Sequence, residues 1–134
     1  MNQFQSTPLT KSAGPEFDIR AQARALGTVI HAAAGNMIFK EGDPPTTMYV
    51  LLSGAVEITS HGKAIEHMLP GDAFGIISLL DDMPRAASAR ATEDSELALL
   101  DRKRFRFMVE ETPNFVWFIM HALVNRLRAT NAAL

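Results

Sequence analysis

The sequence predicts a mainly β domain with α-helices before and after the strands. Three features carry this expectation. Between Thr28 and Leu100, β-branched and aliphatic runs recur at the roughly eight- to twelve-residue spacing of a sandwich or barrel, separated by Gly, Pro and Asp. The segment before them is rich in Ala and Arg, and after Asp101 the apolar residues switch to helical spacing. A chain of 134 residues is also of the size at which one hydrophobic core is usually built.

Residues 1–15 mix Gln, Ser, Thr, Gly and two prolines without apolar periodicity and read as a flexible tail, leaving one domain over 16–134. A short helix is expected over 16–26, with Pro15 at a first-turn position and Gly27 ending it in a left-handed conformation. Strands follow at 28–32, 37–39 and 48–52. Ala55-Val56-Glu57-Ile58-Thr59 alternates inside and outside, Ser60-His61-Gly62-Lys63 supplies a tight hairpin, and 64–69 returns. Pro70-Gly71 makes a turn, because proline presets φ at its first central position and glycine tolerates the second. Strands at 86–91 and 96–100 complete the set. Asp101 is placed to cap a helix over 102–111, and Thr112-Pro113 to start a second over 113–130. In that helix Val116, Met120, Leu123 and Leu127 form one apolar row, and Phe115, Ile119 and Ala122 another. A helix packed on a sheet needs one such stripe, so the second is expected to meet a partner, giving a homodimer through the C-terminal helix.

Composition excludes several classes. With 47% apolar and 21% charged residues the chain is an ordinary globule, and a formal net charge of -2 offers no bulk attraction to nucleic acid or anionic lipid. The absence of cysteine removes disulfides, thiol nucleophiles and cysteine-ligated metals, and fits a reducing compartment, so a cytoplasmic location is expected. The longest apolar run, 115–120, is far short of the ~20 residues a bilayer requires, and the amino terminus lacks a secretory pattern; no membrane association is expected.

Two blocks carry a resemblance. Gly35-Asn36-Met37-Ile38-Phe39-Lys40-Glu41-Gly42-Asp43 is followed by Tyr49-Val50-Leu51-Leu52-Ser53-Gly54-Ala55-Val56. Downstream, Gly71-Asp72-Ala73-Phe74-Gly75 leads through Leu79-Leu80 to Pro84-Arg85-Ala86-Ala87-Ser88-Ala89. In this order they resemble the cyclic-nucleotide-binding domain family, the second block matching its phosphate-binding cassette and the cassette arginine. The resemblance implies a jelly-roll-like β-roll, or double-stranded β-helix, with flanking helices. It also implies a ligand site at Phe74, Gly75, Ile76, Ile77, Ser78, Leu79, Arg85, Ala86 and Ala87, with cyclic AMP or cyclic GMP as ligand and no other cofactor. The residues themselves read the same way. Gly75 permits close backbone approach and a short helix after it would present free N–H groups to an anion. Arg85 offers a planar fork for two phosphate oxygens, and Ala86 and Ala87 are small enough for a ligand to lie against the backbone.

One position departs from the family. After Phe74-Gly75 the family carries a glutamate that accepts the ribose 2′-hydroxyl; this chain has Ile76, which accepts nothing. A lost charge-assisted hydrogen bond typically costs ~1.5–3 kcal/mol, so both cyclic nucleotides are expected to bind weakly and Ile76→Glu to tighten them. Asp81 and Asp82 read as solvated turn residues rather than substitute acceptors.

Other constellations read as structure. Arg102-Lys103-Arg104-Phe105-Arg106-Phe107 interleaves cations and aromatics, but Phe105, Met108 and Val109 have the spacing of a buried helical face, so no direct nucleic-acid binding is expected. Phe115, Trp117 and Phe118 read as core. The four histidines lack ligand spacing, so no metal is expected, and no nucleophile or acid–base pair marks an enzyme. Two functions remain. One is a regulatory domain that senses a cyclic nucleotide or another small anionic ligand; the other is a diverged domain acting on an unknown protein partner or a second copy.

Overall fold

The computed structural model describes residues 18–134, so the tail expected at 1–15 and the start of the first helix lie outside the described residues. Helix α1 spans Arg20–Leu26. Gly27 ends it in extended backbone (φ -94°, ψ -174°), not in the left-handed conformation expected. Its glycine is required by packing instead, since a Cβ there would lie 2.8 Å from both the Ala23 and Leu99 carbonyl oxygens.

Eight strands follow: β1 (Thr28–Ala32), β2 (Met37–Phe39), β3 (Thr47–Ser53), β4 (Val56–Ser60), β5 (Lys63–Met68), β6 (Ala73–Phe74), β7 (Ser88–Ala91) and β8 (Ser95–Asp101). They form two antiparallel four-stranded sheets, ordered β1-β8-β3-β6 and β2-β7-β4-β5. This is the mainly β roll with flanking helices that the sequence predicts. β6 is an addition, pairing Phe74 with Tyr49, and β7 starts at Ser88 because 86 and 87 bend away from the ladder. The β4–β5 hairpin closes through His61 and Gly62, both with positive φ (52° and 77°), as a tight hairpin turn requires.

Strand β3 shows how the layers are built. Its alternate residues Met48, Val50 and Leu52 face a core shared with the helices, while Tyr49 and Leu51 face a second core with Val56, Ile58 and Met68 of the other sheet. Strand β3 is therefore buried on both faces, which explains why it reads as a continuous apolar run.

Helix α2 (Ile76–Asp81) follows β6 and packs on β3, and α3 (Arg102–Glu111) and α4 (Phe115–Ala132) come after β8. Asp101 caps α3 as expected, its Oδ1 accepting from the Arg104 N–H at 2.8 Å. Three expectations about α4 and α3 need correction. Thr112-Pro113 does not begin α4: Thr112 is extended, as a residue before proline tends to be, and the helix starts at Phe115 after Asn114 at φ 67°. Val109 is exposed, as is Phe107, leaving Phe105 and Met108 as the buried face of α3. Trp117 is 62% exposed while Phe115 and Phe118 are buried, because residue 117 projects about 200° round the helix from 115.

Candidate functional site

Arg85 is the organising side chain. It is 4% exposed, at the end of the segment that joins α2 to β7, and its guanidinium lies 4.2 Å from the centroid of the Phe39 ring. Nη1 donates to the Gly75 carbonyl at 2.8 Å, and Nη2 to the Thr47 carbonyl at 2.6 Å and to Thr47 Oγ1 at 3.3 Å. Its backbone is clamped as well: the Arg85 N–H donates to the Asp43 carbonyl, and the Gly42 N–H to the Arg85 carbonyl. Nε is buried and has no partner. Burial pushes the guanidinium below its ordinary pKa, with Tyr49 and Asp43 acting in the opposite direction.

This group borders a small cleft, with about 20 Å³ of free space, lined by Phe39, Gly75, Ile77, Ser78, Arg85, Ala86, Ala87 and Arg126. Six of the nine residues expected from the sequence line it. Gly75 sits at the start of α2 with φ 78°, and no side chain caps that end of the helix. Ala86 is exposed and Ala87 buried, and both line the cleft beside Arg85.

The other three lie elsewhere. Phe74 packs in the inter-sheet core, stacked on Tyr49 at 5.4 Å, where it buttresses the ring beneath Arg85. Ile76 and Leu79 are 4% and 3% exposed and belong to the core between sheet and helices, not to the cleft lining. An apolar residue at 76 is thus part of the packing that seats α2. Asp81, the last residue of α2 rather than a turn residue, accepts from the Met83 N–H, and Asp82, which caps the helix, pairs with Arg102 at 3.1 Å.

Sequence reasoning missed Phe39, Thr47 and Arg126. Thr47 serves mainly through its carbonyl, for which no side-chain signal exists. Arg126 did carry one, since it extends the core-facing row Phe115, Ile119, Ala122 by four residues and puts a cation where an apolar residue is due. Its Nε is also buried without a partner, and burial lowers its pKa against the pull of Glu66.

The cyclic nucleotide-binding domain model matches residues 29–112. The chain belongs to that family. The regulatory subunit of cAMP-dependent protein kinase from Emericella nidulans is 38% identical over 115 residues, covering 84% of this chain and 27% of that protein. A CRP-like cAMP-activated global transcriptional regulator of Mycobacterium tuberculosis is 30% identical over 102 residues, covering 72% and 46%. The crystal structure of the catabolite activator protein of Thermus thermophilus superposes with a TM-score of 0.73 at 30% identity, covering 89% of this chain and 57% of that one. The chain therefore spans between about a quarter and a half of these two curated relatives, both of them regulatory proteins. As a cyclic nucleotide-binding domain it places Arg85 at a cleft while its helix α2 is seated by Ile76. No helix among the described residues is long and apolar enough to cross a membrane.

Proposed function

We propose that the chain is a regulatory domain that senses a phosphate-bearing ligand, a cyclic nucleotide or another small anion, through Arg85. One observation carries this reading: a nearly buried guanidinium, fixed by two carbonyls and an aromatic ring, keeps an unpartnered N–H beside a solvent-open cleft. The relatives named for cAMP support the ligand class. Arginine's fork offers paired donors, whereas lysine keeps only the charge. Calorimetry with cyclic AMP and cyclic GMP is the test, with circular dichroism to confirm folding. Affinity should fall from wild type to Arg85→Lys to Arg85→Ala, the last by roughly tenfold to hundredfold, the equivalent of a charge-assisted hydrogen bond. Equal affinity of wild type and folded Arg85→Ala would remove Arg85 from the site.

A second reading rests on the outer face of α4. Val116, Met120, Val124 and Leu127 are between 45% and 60% exposed and, with Trp117, form an apolar strip. Leu123, expected in that strip, packs against the core instead, and Ala122 with it. The strip fits a second copy of the helix, so a homodimer accompanies the sensor, or replaces it if the cleft takes no nucleotide. Sedimentation should show a dimer at high micromolar concentration, converted to monomer by Met120→Asp or Leu127→Asp. A wild-type monomer under those conditions would reject the dimer.

A further inference from the structure

Two cations, not one, face the cassette cleft. Arg85 enters from the segment before β7 and Arg126 from α4, and each has a buried Nε without a partner. The other lining residues are Phe39, Gly75, Ile77, Ser78, Ala86 and Ala87, so no carboxylate neutralises either cation at the cleft wall. The acids that act on them stand outside the lining, Asp43 for Arg85 and Glu66 for Arg126. Like charges brought into a partly desolvated space repel, and burial outweighs the pull of those acids on both guanidinium groups. The ring phosphate of a cyclic mononucleotide brings one negative charge and can compensate one of the two.

We propose that the cleft takes a ligand with two anionic groups, one held by Arg85 and the second by Arg126, as in a nucleotide bearing two phosphates. This rests on the sensor reading above and deepens it. Arg126 also makes α4 part of the binding wall, on a face beside its exposed apolar strip, so the second anionic group would draw directly on the helix that carries that strip.

The experiment compares two probes that share a nucleoside, adenosine 3′,5′-bisphosphate and cyclic AMP, by calorimetry on the full chain. Variants are Arg126→Met, Arg126→Lys and Arg85→Ala, each checked for folding by circular dichroism. Wild type should prefer the bisphosphate by roughly tenfold to hundredfold, the gain of one additional charge-assisted contact. Arg126→Met should abolish that preference and Arg126→Lys should keep part of it, since methionine fills similar space without charge. A wild-type preference for cyclic AMP that depends on Arg85 would overturn the two-anion ligand while leaving the sensor standing. A bisphosphate preference that survives Arg126→Met would likewise overturn the role of Arg126. Failure of folded wild-type protein to bind either probe would overturn the sensor and this inference together.

Discussion

Replacing Ile76 by glutamate is expected to lower the thermal unfolding midpoint by roughly ten to twenty degrees, instead of tightening a cyclic nucleotide. The side chain at 76 is 4% exposed in the core that includes Met48, Val50, Leu79, Phe115 and Phe118, with no cation among those residues. A carboxyl placed there stays protonated in the folded state. At pH 7 that costs about 1.36 kcal/mol for each unit between pH and the unfolded glutamate value of about 4.3, or roughly 4 kcal/mol, before any loss of packing. A domain of this size shifts by a few degrees for each kcal/mol. The sign with pH follows from the raised folded-state pKa. Below the unfolded value both states hold the proton and the penalty is smallest; it grows as pH rises from there towards the folded value. Thermal denaturation of wild type and Ile76→Glu from pH 4 to pH 8 should show a gap that widens with pH. A constant gap, or a retained midpoint with tighter cyclic AMP binding, would put the side chain in the cleft.

That reversal shows where sequence reading works and where it stops. Strands β1, β2 and β4, the hairpin at His61-Gly62 and the Asp101 cap were all legible, because each depends on local periodicity or a local hydrogen bond. Arg85 was legible because its neighbours along the chain form a recognisable block. The orientation of residue 76 was not, since a one-and-a-half-turn helix can present the same residue to a ligand or to a core depending on what packs behind it. Here Phe115 and Phe118, some forty residues later, build the apolar surface that receives it. Arg126 was hidden for the same reason. Its meaning depends on α4 lying along the cleft wall, which is a fact of tertiary packing. Trp117 was misplaced because aromatics at the start of a packed helix were read as core, and Leu123 because four-three-four spacing assigned it to the outer row that Val124 in fact continues.

Helix α4 carries two environments on one element. Its inner face contributes Phe115, Phe118 and Ile119 to the core and Arg126 to the cleft, and its outer face leaves Met120, Val124 and Leu127 in solvent. Lys63 at the start of β5 donates to the Ala133 carbonyl at 2.6 Å, tying the far end of the helix to the second sheet. A change in how the cleft is filled and a change in what covers the strip therefore bear on the same helix, and the two are coupled where each favours a different arrangement of it.

The glycines separate folding from binding in one experiment, and Gly54→Ala is expected to be the most damaging. Gly54 has φ 94°, and a Cβ there would lie 2.5 Å from the Asp94 carbonyl oxygen and 2.7 Å from the Ser95 Cα. Those are backbone atoms, so the turn between β3 and β4 must separate from the start of β8. Positive-φ strain of roughly 1–2 kcal/mol adds to overpacking of about 1–3 kcal/mol. Gly35 provides the control, with φ 90° and nothing within 4 Å, so its alanine variant should show the strain alone. Gly75 lies between them. Its Cβ would lie 2.9 Å from Arg85 Nη1, the far end of a long side chain that can yield, and 3.4 Å from the Thr47 carbonyl. Gly75→Ala should therefore unfold only slightly more easily than Gly35→Ala, yet displace the guanidinium from the carbonyls that aim it. Denaturant midpoints should fall in the order Gly35→Ala, Gly75→Ala, Gly54→Ala, the last losing about 2–5 kcal/mol. Affinity for a phosphate-bearing probe should drop at least about tenfold in Gly75→Ala, because a guanidinium out of register forfeits its directed hydrogen bonds. Undiminished binding by Gly75→Ala would mean that Arg85 can hold the anion without the Gly75 carbonyl, and that the close approach at residue 75 serves packing rather than the ligand.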